Sequence, residues 1–202
     1  MSGWPPGGEA YDVQPMASPT GGTTMPGSVI LPGERQYGPS VTCVMGVDPG
    51  ATTGVCHLQI ATPCNGEPPY ITSRLVFGCN ALAVFPLMQF LMEINEGAAR
   101  IIAAGERFVP GRGAGARGPG AAVTRDVIQE LAVLPVAWHW RSAADVKPWA
   151  TDDRLKAAGL YEITAKMRDA RDGARHALFA ACHDAGLPDP LSRKARRTTT
   201  TA

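Results

Sequence analysis

Four acidic residues stand where a folded chain would put them to chemical use. Asp48 closes an apolar stretch, Val44-Met45-Gly46-Val47, and is followed by Pro49-Gly50. That pair marks a turn, with proline fixing φ and glycine accepting the positive φ that other residues avoid. Aspartate has low β-propensity, so an acid at a strand end beside such a turn needs solvent or a cation. Glu106 closes a second apolar run, Arg100-Ile101-Ile102-Ala103-Ala104-Gly105. If the two strands run parallel, both carboxylates fall at one sheet edge, where open α/β sheets bind ligands. Asp169 and Asp172 are three positions apart, roughly 60° of helical rotation, and share a face near a helix start. His176 falls on the same face one turn later. Folding alone offers other readings. Glu106 can be the first solvated residue after a strand, and two aspartates in a first turn can complement the helix dipole. Like charges at that spacing repel, however, and a cation would relieve the repulsion.

The elements that must position these groups follow from apolar periodicity. Gly54 opens a second run, Val55-Cys56-His57-Leu58-Gln59-Ile60, which alternates as a half-exposed strand should. Thr62–Pro69 is a turn cluster, and Tyr70–Phe77 reads as a third strand ended by Gly78. Short loops join these three strands, which predicts an antiparallel meander. Leu87, Met88, Leu91 and Ile94 predict a helix over 82–96, with Pro86 acceptable in its first turn and Gly97 at its end. A second helix is expected over Ala121–Leu134, broken by Pro135, and then a fifth strand over Val136–Trp140. Trp138 and Trp140 should share one sheet face, with His139 between them as a packed or surface histidine. Ser142 is a plausible helix cap, and a short helical connection over Trp149–Ala158 should end at Gly159. The last helix is expected over Lys166–Ala185, with Ala170, Ala174, Ala177, Leu178 and Ala181 forming the stripe of a helix packed closely on a sheet. Gly186 and Pro188 stop it.

The chain has 202 residues, which suits one ordinary domain with tails. Residues 1–40 are rich in Pro, Gly, Ser and Thr and read as a disordered leader. Residues 41–190 form the expected domain, and 191–202 a short basic disordered tail. With 19 basic and 18 acidic residues there is no global basic signal for nucleic acid, so any DNA contact must come from local clusters. One such cluster is the glycine-rich stretch Pro110–Gly120, which carries Arg112 and Arg117. Arginine forks bind phosphate oxygens and glycines permit close approach. A solvated linker is the alternative reading. Five scattered cysteines without a C-x-x-C pair argue for reduced thiols and against a zinc knuckle. No apolar run approaches the ~20 residues needed to span a bilayer, and no signal peptide is evident at the amino terminus. The expectation is a cytoplasmic protein of a bacterial cell or phage-infected host.

Met45-Gly46-Val47-Asp48-Pro49-Gly50, followed by Thr53-Gly54, resembles the first catalytic motif of the RNase H-like nucleases, most closely the RuvC-like Holliday junction resolvases. Sugar kinases and other actin-like ATPases open with a similar Asp-x-Gly hairpin, but they need a second domain and an adenosine-binding motif. The apolar strand ending in Glu106 and the Asp169-Ala170-Arg171-Asp172 pair match the family's later acidic motifs in order. Gly173 departs from the alanine common there. The resemblance covers roughly residues 42–185, and a phage-type member is expected.

The resemblance implies an RNase H-like α/β fold, a five-stranded mixed sheet with its first three strands antiparallel and helices on its faces. It implies Asp48, Glu106, Asp169 and Asp172 as catalytic and metal-binding residues. It also implies hydrolysis of DNA phosphodiesters to a 5′-phosphate and a 3′-hydroxyl. Four clustered carboxylates require neutralisation, and hard oxygen donors suit two Mg²⁺ ions per site, or Mn²⁺ in their place. Val146-Lys147 matches the family's apolar-lysine element, which makes Lys147 a DNA contact beside Arg112 and Arg117. His176 is an accessory candidate for orienting a nucleophile or binding phosphate. The implied partners are branched DNA (a four-way junction, flap or fork) and a second copy of the chain, with no membrane. A non-catalytic junction-binding domain of the same fold is the competing reading.

Overall fold

The computed structural model describes residues 39–108 and 119–192. Arg112 and Arg117, the leader up to residue 38 and most of the basic tail lie outside these residues, while Ser40, expected in the leader, opens the first strand. Within them, five strands form one sheet in the order β3-β2-β1-β4-β5. β1 (Ser40–Asp48), β2 (Thr52–Thr62) and β3 (Tyr70–Asn80) make the antiparallel meander, while β4 (Arg100–Glu106) lies parallel to β1 and β5 (Ala137–Arg141) parallel to β4. This is the expected mixed α/β arrangement. Among the described residues no helix is long and apolar enough to cross a membrane.

Strand alternation divides the interior into two cores. Val44, Cys56, Leu58, Ile60 and Ile102 pack against Ala174, Ala177, Leu178 and Ala181 of α5 (Arg168–His183). Cys43, Met45, Val47, Val55 and Ala103 point to the other face, against α1 (Ala81–Glu93) and α2 (Pro119–Ala132). α1 contributes Val84, Met88 and Leu91, and α2 contributes Val127 and Leu131. Two short helices, α3 (Ala143–Val146) and α4 (Asp152–Ala157), connect β5 to the segment before α5.

Several local expectations shift. β2 is buried on both faces rather than half-exposed, because β1 and β3 flank it and helices cover both sides. His57 therefore sits inside, its Nε2 2.9 Å from the Asn95 side-chain amide, and burial lowers its pKa. β3 runs through Gly78 to Asn80, whose side chain caps α1. Pro86 lies inside α1, beyond its first turn. α5 begins at Arg168 rather than Lys166, because Lys166 adopts φ 63°, a left-handed conformation incompatible with helix. Gly50 does not take a positive φ. The turn it occupies is closed by the buried Thr53, whose hydroxyl donates to the Gly50 carbonyl at 2.9 Å and accepts from the Gly50 amide at 3.2 Å.

Candidate active site

The parallel pairing of β1 with β4 sets the first two carboxylates. Gly46 pairs with Ala104 and Val47 with Gly105, so Asp48 and Glu106 come next on their strands. Val44 and Gly46 of β1, like Ile102 and Ala104 of β4, face α5, and the period-two pleat turns Asp48 and Glu106 the same way.

Close packing of α5 supplies the other two. A Cβ on Gly46 would lie 2.2 Å from the Gly173 carbonyl oxygen and 2.3 Å from the Ala177 nitrogen. A Cβ on Gly54 would lie 1.9 Å from the Asp169 carbonyl oxygen. Gly173 faces the Gly54 carbonyl in turn, which its own Cβ would approach to 2.7 Å. The first turns of α5 thus rest on bare sheet backbone, and Asp169 and Asp172 arrive beside Asp48. The small residue at Gly173 is required here: alanine would meet β2.

The electrostatics record this convergence. Burial pushes the Asp48 carboxyl up to about 7, and the charges of Glu106, Asp172 and Asp169 add to the effect, against a smaller opposing pull from Lys147. Asp172 moves the other way. Burial would raise it, but hydrogen bonds and charge from Lys147 and Arg175 outweigh burial and hold it below the usual carboxylate range. Lys147 Nζ donates to Asp172 Oδ2 at 2.8 Å, and Arg175 donates to Oδ1. Arg175 also reaches Asp152 at 2.6 Å and the Ala150 carbonyl at 3.2 Å, tying α5 to the start of α4.

Lys147 owes its place to a capping box. Ser142 and Asp145 exchange side-chain-to-backbone hydrogen bonds that start α3, and Val146 is fully buried, so the next residue is delivered to Asp172. His176 is buried against the sheet with both ring nitrogens lacking a hydrogen-bond partner, Nε2 lying 3.6 Å from Glu106 Oε2. His139 lies 3.7 Å from Asp184, away from this cluster.

The carboxylate donors have the hard-oxygen chemistry of a Mg²⁺ or Mn²⁺ site. A carboxyl pushed to about 7 by burial first, and then by the charges of Glu106, Asp172 and Asp169, sits where a cation would relieve the repulsion. Among the described residues, however, no three His, Cys, Asp or Glu groups stand as a ready-made cage. Asp172 explains part of this, since Lys147 and Arg175 take both its oxygens. The donor set fits the ion provided that Asp172 gives up one of these partners.

Beyond Lys147, the sequence expectation missed a set of bases. Lys147, Lys166, Met167, Arg168, Arg171, Asp172 and Arg175 line a cleft of about 370 Å³ at the start of α5. Arg168, Arg171 and Arg175 follow i, i+3, i+7 spacing, beside the stripe of Asp169, Asp172 and His176. That second stripe is visible in the sequence once bases are read with the same periodicity as acids.

No protein family and no curated protein matches the chain. Among solved structures it is similar to T. thermophilus RuvC in complex with a Holliday junction substrate, at 16% identity and TM-score 0.48, over 71% of this chain and 96% of that one. A Thermus thermophilus RuvC structure is similar at 15% identity and TM-score 0.47, with the same coverage.

Proposed function

We propose that this chain is a metal-dependent, structure-selective DNA endonuclease that hydrolyses phosphodiesters at four-way junctions or related branched DNA. One observation carries the reading: Asp48, from β1, is held at about 7 by burial and by the charges of Glu106 and of Asp172 and Asp169 on α5. No folding requirement explains such a cluster, which costs stability as it stands.

Asp48, Glu106 and Asp169 would hold the divalent cations, two per site, with Asp172 joining them when Lys147 turns to a phosphate oxygen. Bound there, the ions would supply a water nucleophile at neutral pH and charge stabilisation at the attacked phosphorus and the leaving oxygen. The chain's own groups do the rest. Asp48 accepts positive charge at the centre of the cluster. Lys147, released from Asp172, neutralises phosphate charge that accumulates as the phosphorus–oxygen bond to the 3′-oxygen breaks. Arg175 keeps Asp172 anchored through Asp152 while Lys147 moves. His176 backs Glu106 from inside the core. Two symmetric nicks in a four-way junction need two such sites, which suits a homodimer.

The pairing of both Asp172 oxygens with cations favours a second reading, a module of the same fold that binds branched DNA without cutting it.

The deciding experiment incubates labelled four-way junction, flap and linear duplex with the protein in Mg²⁺, Mn²⁺ or EDTA. Metal-dependent cuts near the branch are expected. Asp48→Asn should lower the rate by at least 10²-fold, the scale of losing a charge-stabilising group from a reacting centre. Wild-type cleavage by Asp48→Asn would overturn the assignment, and junction binding without cleavage would establish the second reading.

A further inference from the structure

We infer that the cleft at the start of α5 binds one backbone phosphodiester of the DNA substrate, next to the phosphodiester being cut. The inference rests on the nuclease reading and adds a contact site to it.

Five cations line the cleft, and Asp172 is its single acid among the described residues. Asp172 is already shared by Lys147 and Arg175. The other three cations have no acidic partner among the described residues. Lys166 and Arg168 are exposed and make neither ion pair nor hydrogen bond there. Arg171 is held over the Tyr161 ring at 4.3 Å, with long 3.4 Å contacts from its guanidinium to the Thr164 hydroxyl and carbonyl. These neighbours fix the guanidinium in place without neutralising it. Three uncompensated charges converging on one concavity repel one another, and an anion in the cleft would reverse the sign of that interaction.

The geometry selects the class of anion. A volume of about 370 Å³ accommodates a phosphate with its flanking sugars. The apolar lining is limited to Met167, with no aromatic ring to stack a base and no carboxamide to read one. Clustered Lys and Arg without a stacking ring suit backbone phosphate, whose contacts carry no sequence information. The cleft also shares Asp172 with the carboxylate cluster, so a strand crossing the cluster passes directly into it. On α5 the acidic stripe serves the reacting phosphate and the basic stripe its neighbour.

The test measures binding of a fluorescent immobile four-way junction, with Ca²⁺ in place of Mg²⁺, across a salt series. Lys166 and Arg168 are exposed and have no side-chain hydrogen bond or ion pair among the described residues, so K166Q/R168Q removes charge with little loss of packing. It should weaken binding about tenfold, equally for junctions of different sequence, and lower the slope of log affinity against log salt by about 1. Arg171→Gln should act in the same direction, and K166R/R168K should restore wild-type binding. Wild-type affinity and slope in K166Q/R168Q, while the wild-type protein still binds and cuts junctions, would overturn the phosphate site alone. A wild-type protein that neither binds nor cuts any of the DNAs would remove the nuclease reading and this site with it.

Discussion

Asp48 and Asp172 are neighbours whose titrations run in opposite directions, and each leaves a separate mark on stability. The Asp48 carboxyl sits at about 7 in the folded chain, against roughly 3.9 when unfolded. Between those values the folded state binds more protons, so without metal the contribution of Asp48 to stability falls as pH rises from about 4 to 7. The ceiling on the effect is about 4 kcal/mol. Asp172, held below its ordinary range, contributes stability that is present above about pH 4 and is lost on further acidification. Asp48→Asn should therefore raise the melting temperature in EDTA at pH 8 and leave it nearly unchanged at pH 4. Thermal melts at the two pH values check this, and an equal shift at both would contradict the charge account. The acids themselves were legible from their strand-end and helix-start positions. Their unequal fates were not, because Lys147 lies 25 residues from Asp172 and Arg175 reached no acid expectation.

At the scale of elements, three glycines decide whether the site exists. Gly46 on β1 and Gly54 on β2 leave room for α5, and Gly173 on α5 returns the favour. Alanine at Gly173 would gain roughly 1 kcal/mol of helix propensity, yet its Cβ would meet the Gly54 carbonyl at 2.7 Å. Backbone has to move to relieve that clash, at a cost of about 1–3 kcal/mol. Gly173→Ala should be net destabilising, and Gly46→Ala more so, since its Cβ meets two backbone atoms of α5 near 2.2 Å. Denaturant titration gives both values, and a stabilised Gly173→Ala would show that α5 can lift without strain. The strand and helix inventory followed directly from periodicity, including the alanine stripe of α5. The role of these glycines was harder to see, because a sequence marks small residues without naming what comes close to them. Burial of β2 on both faces was likewise hidden, since His57 and Gln59 mimic a solvent-facing alternation while satisfying Asn95 inside.

For the chain as a whole, the near balance of 19 basic and 18 acidic residues means that no long-range attraction brings DNA to a cluster of carboxylates. Under the proposed function, bound cations and the basic cleft beside α5 would have to offset those carboxylates. Ligands that bind only the folded state stabilise it by mass action, about 2.7 kcal/mol at a hundredfold excess over the dissociation constant. Saturating Mg²⁺ should raise the melting temperature by several degrees at pH 8. The gain should shrink at pH 5.5, where Asp48 is protonated, and vanish in Asp48→Asn. Calorimetric scans with and without EDTA test this, and a pH-independent gain would place the ion elsewhere.

Trp138 and Trp140 stack on β5 with ring centroids 4.5 Å apart and planes 6° from parallel. Trp140 covers Gly105, where a Cβ would come within 2.4 Å of its ring, one residue before Glu106. Indoles this close share their excited states, so the pair is an optical reporter built into the strand beside the one that ends in Glu106. A far-ultraviolet exciton couplet from the two rings should follow the seating of β4 against β5 without any added label.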